Sequence, residues 1–288
     1  MTRWLVTGAG GQLGRELVRE LAGQDVQALT RADLDLTDEV AVREVVGAWA
    51  AADRADSVVI NAAAYTAVDD AETDEATALT VNGRAPGWIA EAVAGQARLI
   101  HLSTDYVFAG DAATPYEPED PPAPRTAYGR TKLAGERAVL AATPDAYVVR
   151  TAWVYAGHGA NFVRTMLRLE RERETVQVVD DQRGSPTWTR HLAEGLLQLA
   201  GSDAPAGIYH CVGEGVTTWH GLAAAVFQGA GADPARVLPV SSAEFPRPAP
   251  RPPYSVLSTV GWRAAGLTPL RPWRDGVRGA VAEIAQSL

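Results

Sequence analysis

The chain has 288 residues, 47% hydrophobic and 21% charged, with a formal net charge of -9 at pH 7, a length that builds one large domain or two joined ones. That negative total argues against a duplex-binding face, though not against a local basic pocket for an anion. No apolar stretch reaches the roughly 18 residues of a membrane span, "MTRWLVTGAGG" lacks an export pattern, and the single cysteine, Cys211, excludes an internal disulfide, so a cytoplasmic protein with no nucleic-acid or membrane partner is expected.

In chain order, "RWLVTG" (3–8) is a short β-rich run, and "QLGRELVRELA" (12–22) aligns Leu13, Leu17, Val18 and Leu21 on one helix face. Between them, "VTGAGGQLG" sets Gly8, Gly11 and Gly14 three apart. A strand, a glycine turn and a helix N-terminus let the backbone approach a dinucleotide pyrophosphate and offer it free N–H groups. The spacing is G-x-x-G-x-x-G, not the better-known G-x-G-x-x-G. "DVQALT" is the second strand, whose end should meet the adenosine ribose. An acid there selects a free 2′-hydroxyl, and an arginine accommodates a 2′-phosphate. Thr30 and Arg31 stand at that end, which leans toward NADPH over NADH; the other reading of Arg31 is a solvated loop residue. Asp35, in "DLDLTD", either hydrogen-bonds an adenine amino group or caps a turn. "TDEVAVREVVGAWAA" predicts a helix capped by Thr37. "SVVINAAA" (57–64), "RLIHLS" (98–103) and "AYVVRTAWVY" (146–155) read as further strands. Strands alternating with helices imply a parallel sheet covered on both faces.

The second half is less regular. Helical patterns fall near 161–172, 189–199, 219–229 and 272–286, and short strands fit "TVQVV" (175–179) and "GIYHCV" (207–212). "RLERERE" (168–174) alternates in sign, as a solvated helix end does. "FPRPAPRPPYS" (245–255) reads by itself as an extended connector. His158, His191, His210 and His220 show no metal-ligand spacing, so they read as structural and no metal is expected. "TAYGRTKLAGE" (126–136) sets Tyr128 one helical turn before Lys132, on the same face. That spacing alone is common in ordinary helices.

Taken together, "TGAGGQLG", "NAAAYTAVDDAE", "HLSTDYVFAG", "YGRTKLAGE", "RTAWVYAGHGANFVRTM", "DQRGSPTW", "GIYHCVGEGVTTWHGLA" and "RPPYSVLST" resemble the extended short-chain dehydrogenase/reductases, and within them the dTDP-4-dehydrorhamnose reductases. The resemblance spans nearly the whole chain, with the motifs in the expected order. It implies an α/β fold: a doubly wound parallel-sheet Rossmann domain over residues 1–155 and a smaller mixed α/β substrate domain over 156–288, with segments returning to the first. It implies that Gly8, Gly11, Gln12, Leu13, Gly14, Arg31, Asp35, Leu36, Ala62, Ala63, Ala64 and Tyr65 bind the cofactor together with Tyr128 and Lys132. Tyr128 is then the general acid at C4 of the sugar. Lys132 favours its phenolate, moves its pKa down from about 10 and hydrogen-bonds the nicotinamide ribose. Thr104 hydrogen-bonds the substrate carbonyl oxygen, Asp105 a sugar hydroxyl, and Asn82 a structural water. Trp153 packs on the sugar, its other reading being a core or interface aromatic. Arg251 matches a diphosphate contact, and "RPPYS" becomes a substrate-covering loop.

Sugar-nucleotide dehydratases of similar fold carry Asp-Glu after the catalytic threonine. Here Tyr106 follows Asp105, which favours plain ketone reduction. The implied reaction takes dTDP-4-dehydro-β-L-rhamnose to dTDP-β-L-rhamnose with NADPH, or with NADH. Two alternatives stay open: a reductase of another dTDP-4-keto-6-deoxy sugar, and a non-catalytic regulatory subunit of the methionine adenosyltransferase type, against which Tyr128 and Lys132 weigh. Oligomeric state is open, with a homodimer as one option; some relatives are metal-bridged dimers, but no bridging acid cluster maps onto this C-terminus.

Overall fold

The computed structural model describes residues 2–52 and 56–286. In chain order the strands are β1 (Arg3–Thr7), β2 (Asp25–Leu29), β3 (Ser57–Asn61), β4 (Arg98–Thr104), β5 (Tyr147–Thr151), β6 (Val154–Tyr155), β7 (Val176–Val179), β8 (Arg183–Gly184), β9 (Thr187–Trp188), β10 (Gly207–His210), β11 (Thr217–Thr218) and β12 (Val237–Val240). The α-helices are α1 (Gln12–Glu20), α2 (Glu39–Ala50), α3 (Glu75–Leu79), α4 (Ala85–Val93), α5 (Ala127–Ala142), α6 (Phe162–Glu172), α7 (Thr189–Ala200), α8 (Trp219–Gly229), α9 (Val260–Ala264) and α10 (Trp273–Gln286).

Six strands form one parallel sheet in the order β10-β5-β4-β3-β1-β2. Its middle strands are apolar because helices cover both faces; every residue of β3 is buried. β2 lies at an edge and tolerates exposed Asp25 and Gln27. The register sets Thr7 opposite Asn61, and Asn61 opposite His101. The Thr7 hydroxyl donates to Asn61 Oδ1 at 2.8 Å, and Asn61 Nδ2 lies 3.1 Å from His101 Nδ1, a buried polar rung beneath the glycine turn.

The largest apolar cluster joins Trp4, Leu17 and Ile60 to Leu196, Tyr209 and Trp262, so residues from the second half complete the core of the main sheet. A separate cluster gathers Met166, Val178, Phe227, Val277 and Ile284, from α6, β7, α8 and α10. No helix among the described residues is long and apolar enough to cross a membrane.

Three local expectations change. Thr37 is not the cap of α2: Asp35 Oδ1 accepts from its N–H and its hydroxyl, both at 2.9 Å, and Asp38 caps the helix through Ala41 N–H at 3.0 Å. The expected strand 146–155 breaks into β5 and β6, because Trp153 turns the chain with φ +46°. Glu283 of the C-terminal helix does join an acid cluster: ligand atoms of Glu16, His158 and Glu283 lie within 4.8 Å of one another. Arg19 and Arg190 ion-pair with those carboxylates, so guanidinium groups supply the balancing charge.

Candidate active site

A cleft of about 1230 Å³ opens along the C-terminal ends of the sheet strands, where doubly wound folds bind ligands. Its floor at one end is the glycine turn. Gly8 has φ +71°, and a Cβ there would meet the Ala63 backbone at 2.7 Å. A Cβ on Gly14 would lie 2.2 Å from the Gly8 carbonyl oxygen, so the helix can sit against the turn only without a side chain there. α1 then begins at Gln12 with Gly11 as N-cap, no capping side chain and no acid in the first turn. Its uncapped N–H groups suit a pyrophosphate.

Gly8, Gly11, Gln12, Leu13, Leu36, Ala62, Ala63, Ala64 and Tyr65 all line this cleft; Gly14 lies buried beneath it. Arg31 also lines it and is exposed, inside a turn in which Asp33 Oδ2 accepts from Thr30 N–H and hydroxyl at 2.9 and 2.6 Å. Asp35 reaches the lining too, but its carboxylate is engaged by Thr37, whose N–H and hydroxyl hold it below the usual carboxylate range. Of its two readings, the structure displays the turn role.

The other end carries Thr104, Asp105, Tyr128, Lys132 and Trp153. Thr104 ends β4, and Tyr128 and Lys132 lie in the first two turns of α5. Thr126 caps that helix, its hydroxyl accepting from Gly129 N–H at 3.0 Å. Gly129 lets α5 press on the β4 exit: a Cβ would come within 2.2 Å of the Tyr106 carbonyl oxygen. Burial pushes the Tyr128 phenol up to about 12, against a hydrogen bond with the Thr104 side chain that lowers it. The expectation that Lys132 draws this value down is not what the geometry gives. Lys132 Nζ donates instead to the Leu102 carbonyl at 2.6 Å, and burial brings the ammonium down to about 8, opposed by the Glu136 carboxylate. Glu136 in turn forms a buried bidentate pair with Arg150 at 2.9 and 2.8 Å and accepts from the Ser103 hydroxyl at 2.5 Å.

Asp105 is 3% exposed. Burial pushes its carboxyl up to about 6, against the Ser255 side chain and the Thr104 hydroxyl, which favour the carboxylate, the latter donating to Oδ1 at 2.9 Å. Its Oδ2 and the Ser255 hydroxyl each lack a partner of full hydrogen-bond geometry among the described residues, yet the Ser255 side chain is near enough to favour the carboxylate; an incoming hydroxyl would share Oδ2 with it. Tyr106 packs edge-on against Tyr128, with ring centroids 5.5 Å apart.

Asn82 and Arg251 have protein partners of their own. Asn82, inside a π-turn (Thr80–Arg84), accepts from Tyr65 N–H at 2.8 Å and donates to Tyr65 O and Thr131 Oγ1 at 3.0 and 3.2 Å. Its amide thus ties the β3 exit loop to α5 directly. Arg251 does not line the cleft. It borders a shallow neighbouring pocket with Tyr106 and Pro252, and pairs with Asp69 at 2.8 Å. Trp219 does line the cleft, stacked on Trp153. Its residue type in "TTWHGLA" was visible in the sequence, but no local pattern assigns it to a site.

These residues match a known pattern along nearly the whole chain. The family described as RmlD substrate binding domain matches residues 2–286. A dTDP-4-dehydrorhamnose reductase of Streptomyces griseus is 54% identical over 281 residues, covering 94% of this chain and 90% of that protein. A probable dTDP-4,6-dihydroxy-2-methyloxan-3-one 4-ketoreductase of Streptomyces antibioticus is 52% identical, covering 98% of this chain and 95% of its own. Among solved structures, the dTDP-4-dehydrorhamnose reductase of Bacillus anthracis in complex with NADP superimposes with a TM-score of 0.92 at 36% identity, covering 98% of this chain and 100% of that one. The chain belongs to the RmlD substrate-binding-domain family.

Proposed function

We propose that this protein reduces the C4 ketone of dTDP-4-dehydro-β-L-rhamnose to give dTDP-β-L-rhamnose, using NADPH, with NADH as the alternative donor, in the cytoplasm. The observation that supports the reading is a single cleft lined by a pyrophosphate-sized glycine turn at one end and by Thr104, Tyr128 and Lys132 at the other. The relatives reported above are named as reductases, which favours catalysis over a regulatory-subunit role.

The reduced dinucleotide supplies the hydride when bound. The glycine turn and the α1 N-terminus hold its pyrophosphate, and Arg31 holds a 2′-phosphate. Tyr128 donates its phenolic proton to the C4 oxygen, and Thr104 hydrogen-bonds the same oxygen. The Lys132 ammonium, anchored on the Leu102 carbonyl, hydrogen-bonds the nicotinamide ribose and so orients the donor beside Tyr128. Asp105 accepts from a sugar hydroxyl, and Trp153 packs on the sugar. Arg251 reaches the substrate diphosphate by exchanging one anion, Asp69, for another.

The test is NADPH oxidation with a panel of dTDP-4-keto sugars. The expected result is the highest kcat/KM with dTDP-4-dehydro-β-L-rhamnose; no oxidation with any member would overturn the reading. The Streptomyces antibioticus relative favours one second reading, a different dTDP-4-keto-6-deoxy sugar as the preferred substrate, and the same panel separates the two.

A further inference from the structure

One wall of the cleft takes no part in the proton or hydride chemistry. Trp153 and Trp219 stack with ring centroids 3.8 Å apart and planes 6° apart, and both line the cleft. Phe162 leans on Trp219, with centroids 4.8 Å apart. Trp153 has φ +46°, a conformation that a bulky residue keeps only where its surroundings over-determine it. Two neighbours do so here. Gly184 leaves no room on one side, since a Cβ would come within 2.4 Å of the indole, and Trp219 covers a ring face. Both arrive by one route: Trp219 opens α8 directly after β11, and β11 pairs antiparallel with β8, which carries Gly184.

We propose that Trp219 is a positioning and specificity residue. It holds the Trp153 indole in place, and the two rings form an apolar plate that accepts the methyl-bearing edge of a 6-deoxyhexose and disfavours a 6-hydroxymethyl group. This rests on the sugar-nucleotide reading given above. A 6-deoxyhexose carries CH₃ on C5 where the parent hexose carries CH₂OH. Against indole that hydroxyl loses water and finds no acceptor, because an indole N–H only donates. Trp153 sits on a two-residue link between β5 and β6, and among the described residues Trp219 is the aromatic ring stacked on it.

The experiment uses the full chain with W219L, which keeps apolar bulk and loses the flat stack, and W219F, which keeps a flat ring. Calorimetry measures the binding of a dTDP-6-deoxyhexose and of dTDP-glucose. The wild type should prefer the 6-deoxy sugar by about 10-fold or more, the range a single buried substituent commands. W219L should cut that preference to under about 3-fold, and W219F should restore most of it. NADPH affinity should stay within about 2-fold, because the plate serves the sugar half. With the keto substrate, KM should rise in W219L more than kcat falls. The coupled-indole circular dichroism couplet should disappear in W219L and in W153F alike. Should W219L fail to fold, W219M carries the same comparison. No 6-deoxy preference in the wild type, an unchanged preference in W219L, or an equal loss of both sugars and NADPH would each overturn the proposal. Absence of NADPH oxidation with every keto sugar overturns the reductase reading alone, since the binding comparison needs no turnover.

Discussion

A phenol held at about 12 gives up little proton to water but readily protonates an alkoxide, the base a ketone becomes when a hydride reaches its carbon. Tyr128→Phe removes only that hydroxyl. It should lower kcat by roughly 100-fold or more, as for a positioned general acid, while NADPH still binds in a titration. Two neighbours define the working pH. Asp105, raised from 3.8 to about 6, accepts a sugar hydroxyl best as a carboxylate, so kcat/KM should climb as pH rises through about 6. Lys132, lowered from 10.5 to about 8, loses its charge above about 8, and the rate should fall there. Asp105→Asn should erase the acid limb of that profile. The stability sign follows from the same raised value. Between 3.8 and about 6 the folded state binds more protons than the unfolded one, so stability is lost as pH rises through that window. Asp105→Asn should therefore melt higher than wild type near neutrality, and lose that advantage below 3.8, as thermal scans at both pH values would reveal. At the far end of the cleft, a charge-assisted bond from Arg31 to a 2′-phosphate is worth about 1.5–3 kcal/mol. Wild type should then favour NADPH several-fold in kcat/KM. Arg31→Ala should remove most of that preference, at fixed ionic strength because Arg31 is exposed.

Elements bring these residues together through contacts of very different range. The proline-rich segment is strapped across the cleft side by backbone bonds from Tyr254 N–H to Gly110 O and from Arg183 N–H to Pro253 O, both at 2.9 Å, and by Asp69, which takes Ala249 N–H at 3.2 Å and Arg251 at 2.8 Å. Asp69→Asn keeps an acceptor for Ala249 and removes the charge that holds Arg251. A half-exposed ion pair is worth up to about 1 kcal/mol, while the other strap bonds remain. dTDP should thus bind up to about 5-fold tighter in calorimetry at low salt; weaker binding would mean that Arg251 never leaves Asp69 for the ligand. The same contrast of range explains what the sequence disclosed. The strand–glycine–helix opening and the Tyr128/Lys132 turn were legible because period and turn chemistry act within a few residues. The break at Trp153 was not, since "RTAWVY" is a β-rich run and only packing from Gly184 and Trp219 forces its φ positive. Asn82 was singled out only through the resemblance, and its partners at Tyr65 and Thr131 come from distant segments. Glu136 and Arg150, 14 residues apart, carry no local signal of the buried pair they form beside Lys132.

Across the whole molecule, the first 155 residues do not contain all of their own sheet. β10 pairs with β5, Gly207 opposite Tyr147, and α7 packs its buried Leu192, Leu196 and Leu199 into the cluster that holds Leu17 and Ile60. Residues Trp262, Leu267 and Leu270 add to that same cluster. A fragment ending at Tyr155 should therefore fail to give a cooperative thermal transition, whereas the full chain should melt in one, followed by circular dichroism or calorimetry. Vectorial synthesis feels this arrangement. The edge of β5 waits unpaired while the ribosome adds roughly 60 residues to reach β10, about 3–12 s at 5–20 residues per second. During that interval an apolar parallel strand, able to template foreign pairing, is shielded only by whatever cradles nascent chains. Growth temperature and translation speed should thus govern how much of this enzyme reaches its native state, more than they do for a fold whose sheet closes in chain order.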